Sequence, residues 1–176
     1  MDTKFALDFL QNHQPMPDDE DLSEELIATY NEIREYFMRV KDKKCIKLFL
    51  NSFGYLDGFG VYQLVDSVIL QFSIEDVLDD LIDGLKSEYF SVRYWCAMIS
   101  ANYPCLELVY SLEKLLYENN LSPEDEFDLK SAALISLSMF EFPETIKVLK
   151  SYINKESDEE LLSEAKTFLS ELEKML

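Results

Sequence analysis

Apolar residues recur along this chain at three- and four-residue spacings. Leu22, Leu26, Tyr30, Ile33 and Phe37 follow one another at intervals of 4, 4, 3 and 4, which lays one apolar stripe along a helix. The same period predicts about ten helices, over 3–12, 18–40, 42–53, 60–72, 74–86, 92–102, 105–118, 123–140, 143–154 and 158–175. Ser73, Ser91, Ser122 and Ser157 stand where N-caps are expected, with Asp76 and Glu160 at capping-box positions. Pro104, Pro123 and Pro143 mark helix starts, where a missing N–H costs nothing. Strand alternation never persists.

The later helices pair into copies. Leu81-x3-Leu85 precedes Val92-Arg93-x2-Cys96, Leu112-x3-Leu116 precedes Leu129-Lys130-x2-Ala133, and Leu149-x3-Ile153 precedes Leu161-Leu162-x2-Ala165. The small residue of each copy recurs 37 and then 32 residues on, where it would let one helix approach its neighbour closely. Helix pairs of such a period predict an α-solenoid, each pair burying its apolar face on the next. An irregular helical bundle is the alternative. One domain is expected over 1–176, with N-terminal helices in 1–53, repeats in 60–176 and 158–175 as a terminal cap.

Residues 83–87 followed by Ser91-Val92-Arg93-Tyr94-Trp95-Cys96-Ala97 resemble the HEAT-like repeat, whose second helix opens with Val-Arg-x-x-Ala-Ala. The resemblance implies an all-α, short right-handed α-solenoid of HEAT-like helix pairs. It implies that Arg93 bridges to an acid such as Asp83. It also implies a partner-binding surface built from second helices, which makes Tyr89, Arg93, Tyr94, Trp95, Glu126, Asp128 and Lys130 candidate contacts. The run from Phe53 to Tyr62, with Gly54, Gly58 and Gly60, is similar to small bacterial HEAT-repeat proteins, some of them associated with immunity to polymorphic toxins. Tyr55, Phe59 and Tyr62 in that run are further candidate contacts.

Charge narrows the partner. The chain carries 35 acids against 16 Lys and Arg, a net charge of −19. A field of that sign repels nucleic acid and anionic membranes and suits a basic protein. Twelve of the acids fall in expected first helical turns: Asp18, Asp19, Glu20, Asp21, Glu75, Asp76, Glu124, Asp125, Glu126, Asp158, Glu159 and Glu160. There they would complement exposed N–H groups and the positive helix end. Setting them aside leaves 23 acids against the 16 bases, a much weaker bias.

Chemistry motifs are thin. His13, the single histidine, sits between Asn12 and Gln14 at a helix end, where a polar capping role is expected. The glycine run lacks the Lys-Ser/Thr of a phosphate-binding loop and follows no strand, so a left-handed turn between helices 42–53 and 60–72 is expected there. Asp79-x-Leu81-x-Asp83-Gly84 has Leu81 where a calcium loop needs an oxygen ligand. Cys45, Cys96 and Cys105 are odd in number, lack metal spacing and fit a reducing cytosol. No leader peptide and no membrane span is read. The expectation is a cytoplasmic, monomeric, non-enzymatic protein-binding module without metal or cofactor, an immunity protein or inhibitor that sequesters a basic partner such as a toxin. A generic scaffold or assembly factor is the alternative.

Overall fold

A computed structural model describes all 176 residues. It contains ten α-helices, one 3-10 turn and no strand, so the all-helical class follows from the period alone. The helices are α1 (Thr3–Asn12), α2 (Glu24–Arg39), α3 (Lys44–Leu50), α4 (Asp66–Ile69), α5 (Ile74–Gly84), α6 (Phe90–Ser100), α7 (Leu106–Leu115), α8 (Pro123–Ser138), α9 (Pro143–Ile153) and α10 (Glu159–Met175). No helix is long and apolar enough to cross a membrane.

Several boundaries depart from the sequence period, each for a local reason. Helix α2 starts at Glu24, because the Ser23 hydroxyl accepts from Leu26 N at 3.2 Å and caps it there. Asp18 to Asp21 therefore precede the helix, and Glu24 and Glu25 are its first-turn acids. The helix expected over 60–72 is broken into a 3-10 turn (Tyr62–Leu64) and the single turn of α4. Val65 N bonds to Tyr62 O and Val68 N to Val65 O, both i to i−3. Four β-branched residues, Val61, Val65, Val68 and Ile69, crowd this segment and disfavour a longer regular helix.

Two expected caps are replaced. Ser91 lies inside α6, buried, and its hydroxyl donates to the Phe53 carbonyl at 2.8 Å. Asp158, not Ser157, caps α10 by accepting from Glu160 N and Leu161 N, each at 3.0 Å. Ser73 occupies the N-cap position of α5 without accepting a cap bond, and Asp76 in that turn instead pairs with Lys43 at 2.5 Å. Ser122 caps α8 as expected, accepting from Asp125 N at 3.2 Å with Pro123 in the first turn.

The chain forms two compact units, Met1–Cys96 and Ala97–Leu176. In the first, α1 and α5 pack on α3, and α2 packs on α4. Its core is aromatic. Tyr30 and Phe37 each meet Phe49 edge-on with centroids 5.8 Å apart, and all three are fully buried. The Tyr30 and Ser52 hydroxyls share a buried hydrogen bond at 2.7 Å. In the second unit, α7 packs on α8 and α9, while α10 packs on α8 and α9. Leu112, Ala133, Leu149 and Ala165 close that core with no exposed surface.

The small residues expected at close approaches (Cys96, Ala133 and Ala165) are all fully buried. At Cys96 the approach is explicit. A methyl group on Gly84 would collide with Cys96 Sγ, which donates to the Leu50 carbonyl at 3.5 Å. Gly84→Ala raises helix propensity by about 1 kcal/mol but overpacks the contact at about 1–3 kcal/mol. Urea unfolding is expected to show Gly84→Ala destabilised by about 1 kcal/mol, and stabilised when Cys96→Ala is also present. Equal effects in both backgrounds would show that the contact imposes no constraint.

Candidate functional site

The residues that converge on one surface lie in the glycine-rich loop of the first unit. Left-handed backbone occupies four of the five positions 56–60: Leu56 (φ 71°), Gly58 (58°), Phe59 (52°) and Gly60 (82°). For Leu56 and Phe59 that conformation costs roughly 1–2 kcal/mol each, because Cβ crowds the following carbonyl. Both side chains point outward, Leu56 at 58% and Phe59 at 61% exposure. Strain and exposed apolar surface therefore coincide on the same two residues.

Polar contacts pin this conformation from three sides. Asp57 Oδ1 accepts from Gly60 N at 3.1 Å, closing a local turn. Asp18 Oδ1 accepts from Tyr55 N at 3.3 Å, and Asp19 Oδ1 from Gly58 N at 3.1 Å. The Trp95 indole N–H donates to the Leu56 carbonyl at 3.2 Å. The acid run read as a helix start is thus partly a clamp on this loop. Lys4–Asp8, Arg34–Glu35 and Lys43–Asp76 pair elsewhere in the unit, and no basic side chain neutralises Asp18, Asp19 or Asp57.

Aromatic rings join the loop to the core. Phe53 stacks on Trp95 with centroids 5.6 Å apart, and Tyr62 meets Phe53 and Tyr30 edge-on at 5.7 Å. Outward, Trp95 meets Tyr94 at 5.4 Å, Tyr94 meets Phe90 at 5.9 Å, and Phe90 meets Tyr55 at 5.9 Å. Tyr62, expected as a contact, is a core residue at 1% exposure. Its ring fills the space over Gly58, which explains its burial. Burial pushes its phenol up to about 12, and Asp19, Asp18 and Asp57 add to that. Its Oη lies against the Gly54 backbone, which works the other way.

The other candidates divide. Tyr55 and Tyr89 are exposed, Tyr94 and Trp95 half-buried, and Arg93 is buried within α6. Burial removes Arg93 from the accessible contacts. In the second unit, Lys130 Nζ lies 3.5 Å from Glu156 and 4.0 Å from Glu126. Tyr152 Oη donates to Glu156 at 2.8 Å, and Ser157 N and Asp158 N donate to the same carboxylate. Burial would raise the Glu156 carboxyl, but bonds from Asp158 N, Tyr152 and Ser157, with Lys130 nearby, hold it below its ordinary range. Lys130 and Glu126 thus belong to a joint between α8 and the end of α9, beside an open cleft of about 330 Å³. Asp128 is exposed, its carboxyl raised by partial desolvation and by Asp125 and Glu124.

His13 Nδ1 lies 2.8 Å from the Phe9 carbonyl and its ring lies tilted against Phe9 with centroids 4.3 Å apart, at the capping position expected of it. Cys45 is buried, its thiol pushed up to about 12 by desolvation, and burial raises Cys96 as well. No group of three His, Cys, Asp or Glu side chains is placed to hold a metal ion. Sequence reasoning missed Leu56 and the clamping roles of Asp18 and Asp19. The left-handed turn expected from the glycine run is present, at Gly58 and Gly60 and also at Leu56 and Phe59. No family model and no curated protein matches this chain.

Proposed function

We propose that this chain is a non-enzymatic protein-binding module that docks a basic protein partner on loop 55–60 and the neighbouring aromatic end of α6. One observation carries the reading. Leu56 and Phe59 hold costly left-handed conformations while presenting apolar side chains to solvent. A fold under selection for stability alone places glycine at such positions. Three unneutralised carboxylates beside the same loop favour a positively charged partner through steering and rejection of anionic ones.

The architecture is read further as a HEAT-like α-solenoid. The alternating packing of α7 on α9 and α8 on α10 supports stacked helix pairs in the second unit. With the sequence resemblance, that reading makes a cytoplasmic immunity protein sequestering a basic toxin the preferred biological role. A monomer suffices for it. The same helix packing equally favours a second reading, a scaffold for a housekeeping complex.

The test is affinity purification of the intact chain from its own cells, followed by titration of the retained protein in low and high salt. The expected partner is basic, is encoded beside this chain's gene, and binds in a salt-sensitive way. Phe59→Asp is expected to weaken that complex by at least about 100-fold, as loss of a central aromatic anchor does. Undiminished binding by Phe59→Asp overturns the docking site. A partner from a housekeeping pathway overturns the immunity role and favours the scaffold.

A further inference from the structure

We propose that loop 55–60 is an arginine-recognition surface, on which a guanidinium of the partner protein stacks against the exposed Phe59 and Tyr55 rings and pairs with the carboxylates of Asp57, Asp18 and Asp19. The inference rests on the docking reading above and names its contact chemistry.

The two halves of such a site share one short loop and the acids that clamp its backbone. Phe59 and Tyr55 are the exposed rings, at 61% and 38% exposure. Both sit on a backbone fixed by hydrogen bonds from Tyr55 N, Gly58 N and Gly60 N, so little ordering remains for a ligand to impose. Each of the three carboxylates commits Oδ1 to one of those N–H groups, and none has a basic partner. All three carboxylates also lie near enough to the buried Tyr62 hydroxyl to raise its phenol.

Arginine fits this pairing better than lysine. A guanidinium is planar, so one face stacks on a ring while its edge donates to carboxylate oxygens in the same plane. An ammonium is compact and strongly hydrated, and it satisfies only one of the two contacts well. The apolar flank of Leu56 favours an arginine held in a peptide over a free guanidinium, because neighbouring side chains then bury that surface too.

The test is a nuclear magnetic resonance titration of the full ¹⁵N-labelled chain with a capped peptide, Gly-Leu-Arg-Leu-Gly, and its lysine and citrulline counterparts. The arginine peptide is expected to shift the amides of Tyr55, Gly58 and Phe59 and the Trp95 indole N–H, saturably. Lysine is expected to bind about three- to tenfold more weakly, and citrulline about tenfold or more. Phe59→Ala is expected to weaken the arginine peptide about tenfold. Asp57→Asn, which keeps the oxygen that Gly60 N requires, is expected to weaken it severalfold with the fold intact.

Equal affinity for the arginine and citrulline peptides, or no saturable shift at the loop, overturns the proposal. So does free arginine amide binding as well as the peptide. If the natural complex still depends on Phe59 while the peptides show no arginine preference, this inference fails and the docking reading stands. If the complex is indifferent to Phe59, both fail.

Discussion

Tyr62→Ala is expected to destabilise the first unit by about 3–5 kcal/mol, as removal of a fully buried aromatic ring does. Tyr62 is 1% exposed and meets Tyr30, Phe53 and Trp95, so the cavity it leaves borders three large rings held by other contacts. Little collapse is available to relieve it. The ring also lies directly under Gly58, so the loop loses its floor. Urea unfolding measures the loss, and fluorescence of Trp95, the single tryptophan, reports the loop. Tyr62→Phe keeps the ring and removes a buried hydroxyl that lies against the Gly54 backbone. That variant is expected to lose no more than about 1 kcal/mol. A comparable loss in both variants would show that the hydroxyl, not the ring, supports the loop.

Gly58→Ala is the second large effect, expected to cost about 2–4 kcal/mol. Left-handed backbone at φ 58° contributes roughly 1–2 kcal/mol of that for a residue with Cβ. The rest comes from collision, because the new methyl would lie 2.7 Å from Tyr62 Cζ. Aromatic carbons packed among three other rings cannot move aside cheaply, and overpacking of this kind costs about 1–3 kcal/mol. Gly60→Ala is the control. Its φ of 82° is also left-handed, yet its nearest neighbour is the end of the Gln63 side chain at 3.4 Å. It is expected to cost only about 1 kcal/mol in the same urea measurement. Equal losses at the two positions would mean that conformation alone, without the Tyr62 contact, sets the cost.

The helices were legible in the sequence because burial enforces the period wherever a helix has one apolar face. Residues 105–175 show this best: Leu112, Leu129, Leu149 and Leu161, chosen from spacing, are all buried. The period misled at 60–72, where apolar residues at helical spacing are buried on 3-10 and single-turn backbone instead. Spacing records which side chains face inward, not which hydrogen bonds the backbone makes. It misled again at 18–23, where the stripe through Leu22 ran past the Ser23 cap.

The candidate site was legible in part. Aromatic content drew attention to Tyr55, Phe59 and Tyr62, but composition cannot separate outward rings from inward ones. Tyr62 turned inward because Gly58 leaves room for its ring, a close approach that only coordinates reveal. Proximity in sequence places Asp18 and Asp19 at a helix start, yet their partners are 37 and 39 residues away. Part of the acidity expected as helix-start chemistry instead holds loop 55–60.

Urea unfolding of Phe59→Gly tests the central claim most directly. If Phe59 is held in left-handed strain for contact with a partner, glycine relieves that strain at a partly offsetting entropic cost. The variant is then expected to be more stable than the parent by about 0.5–1 kcal/mol. A loss of 1 kcal/mol or more would show that the phenylalanine serves the fold, and would contradict the account.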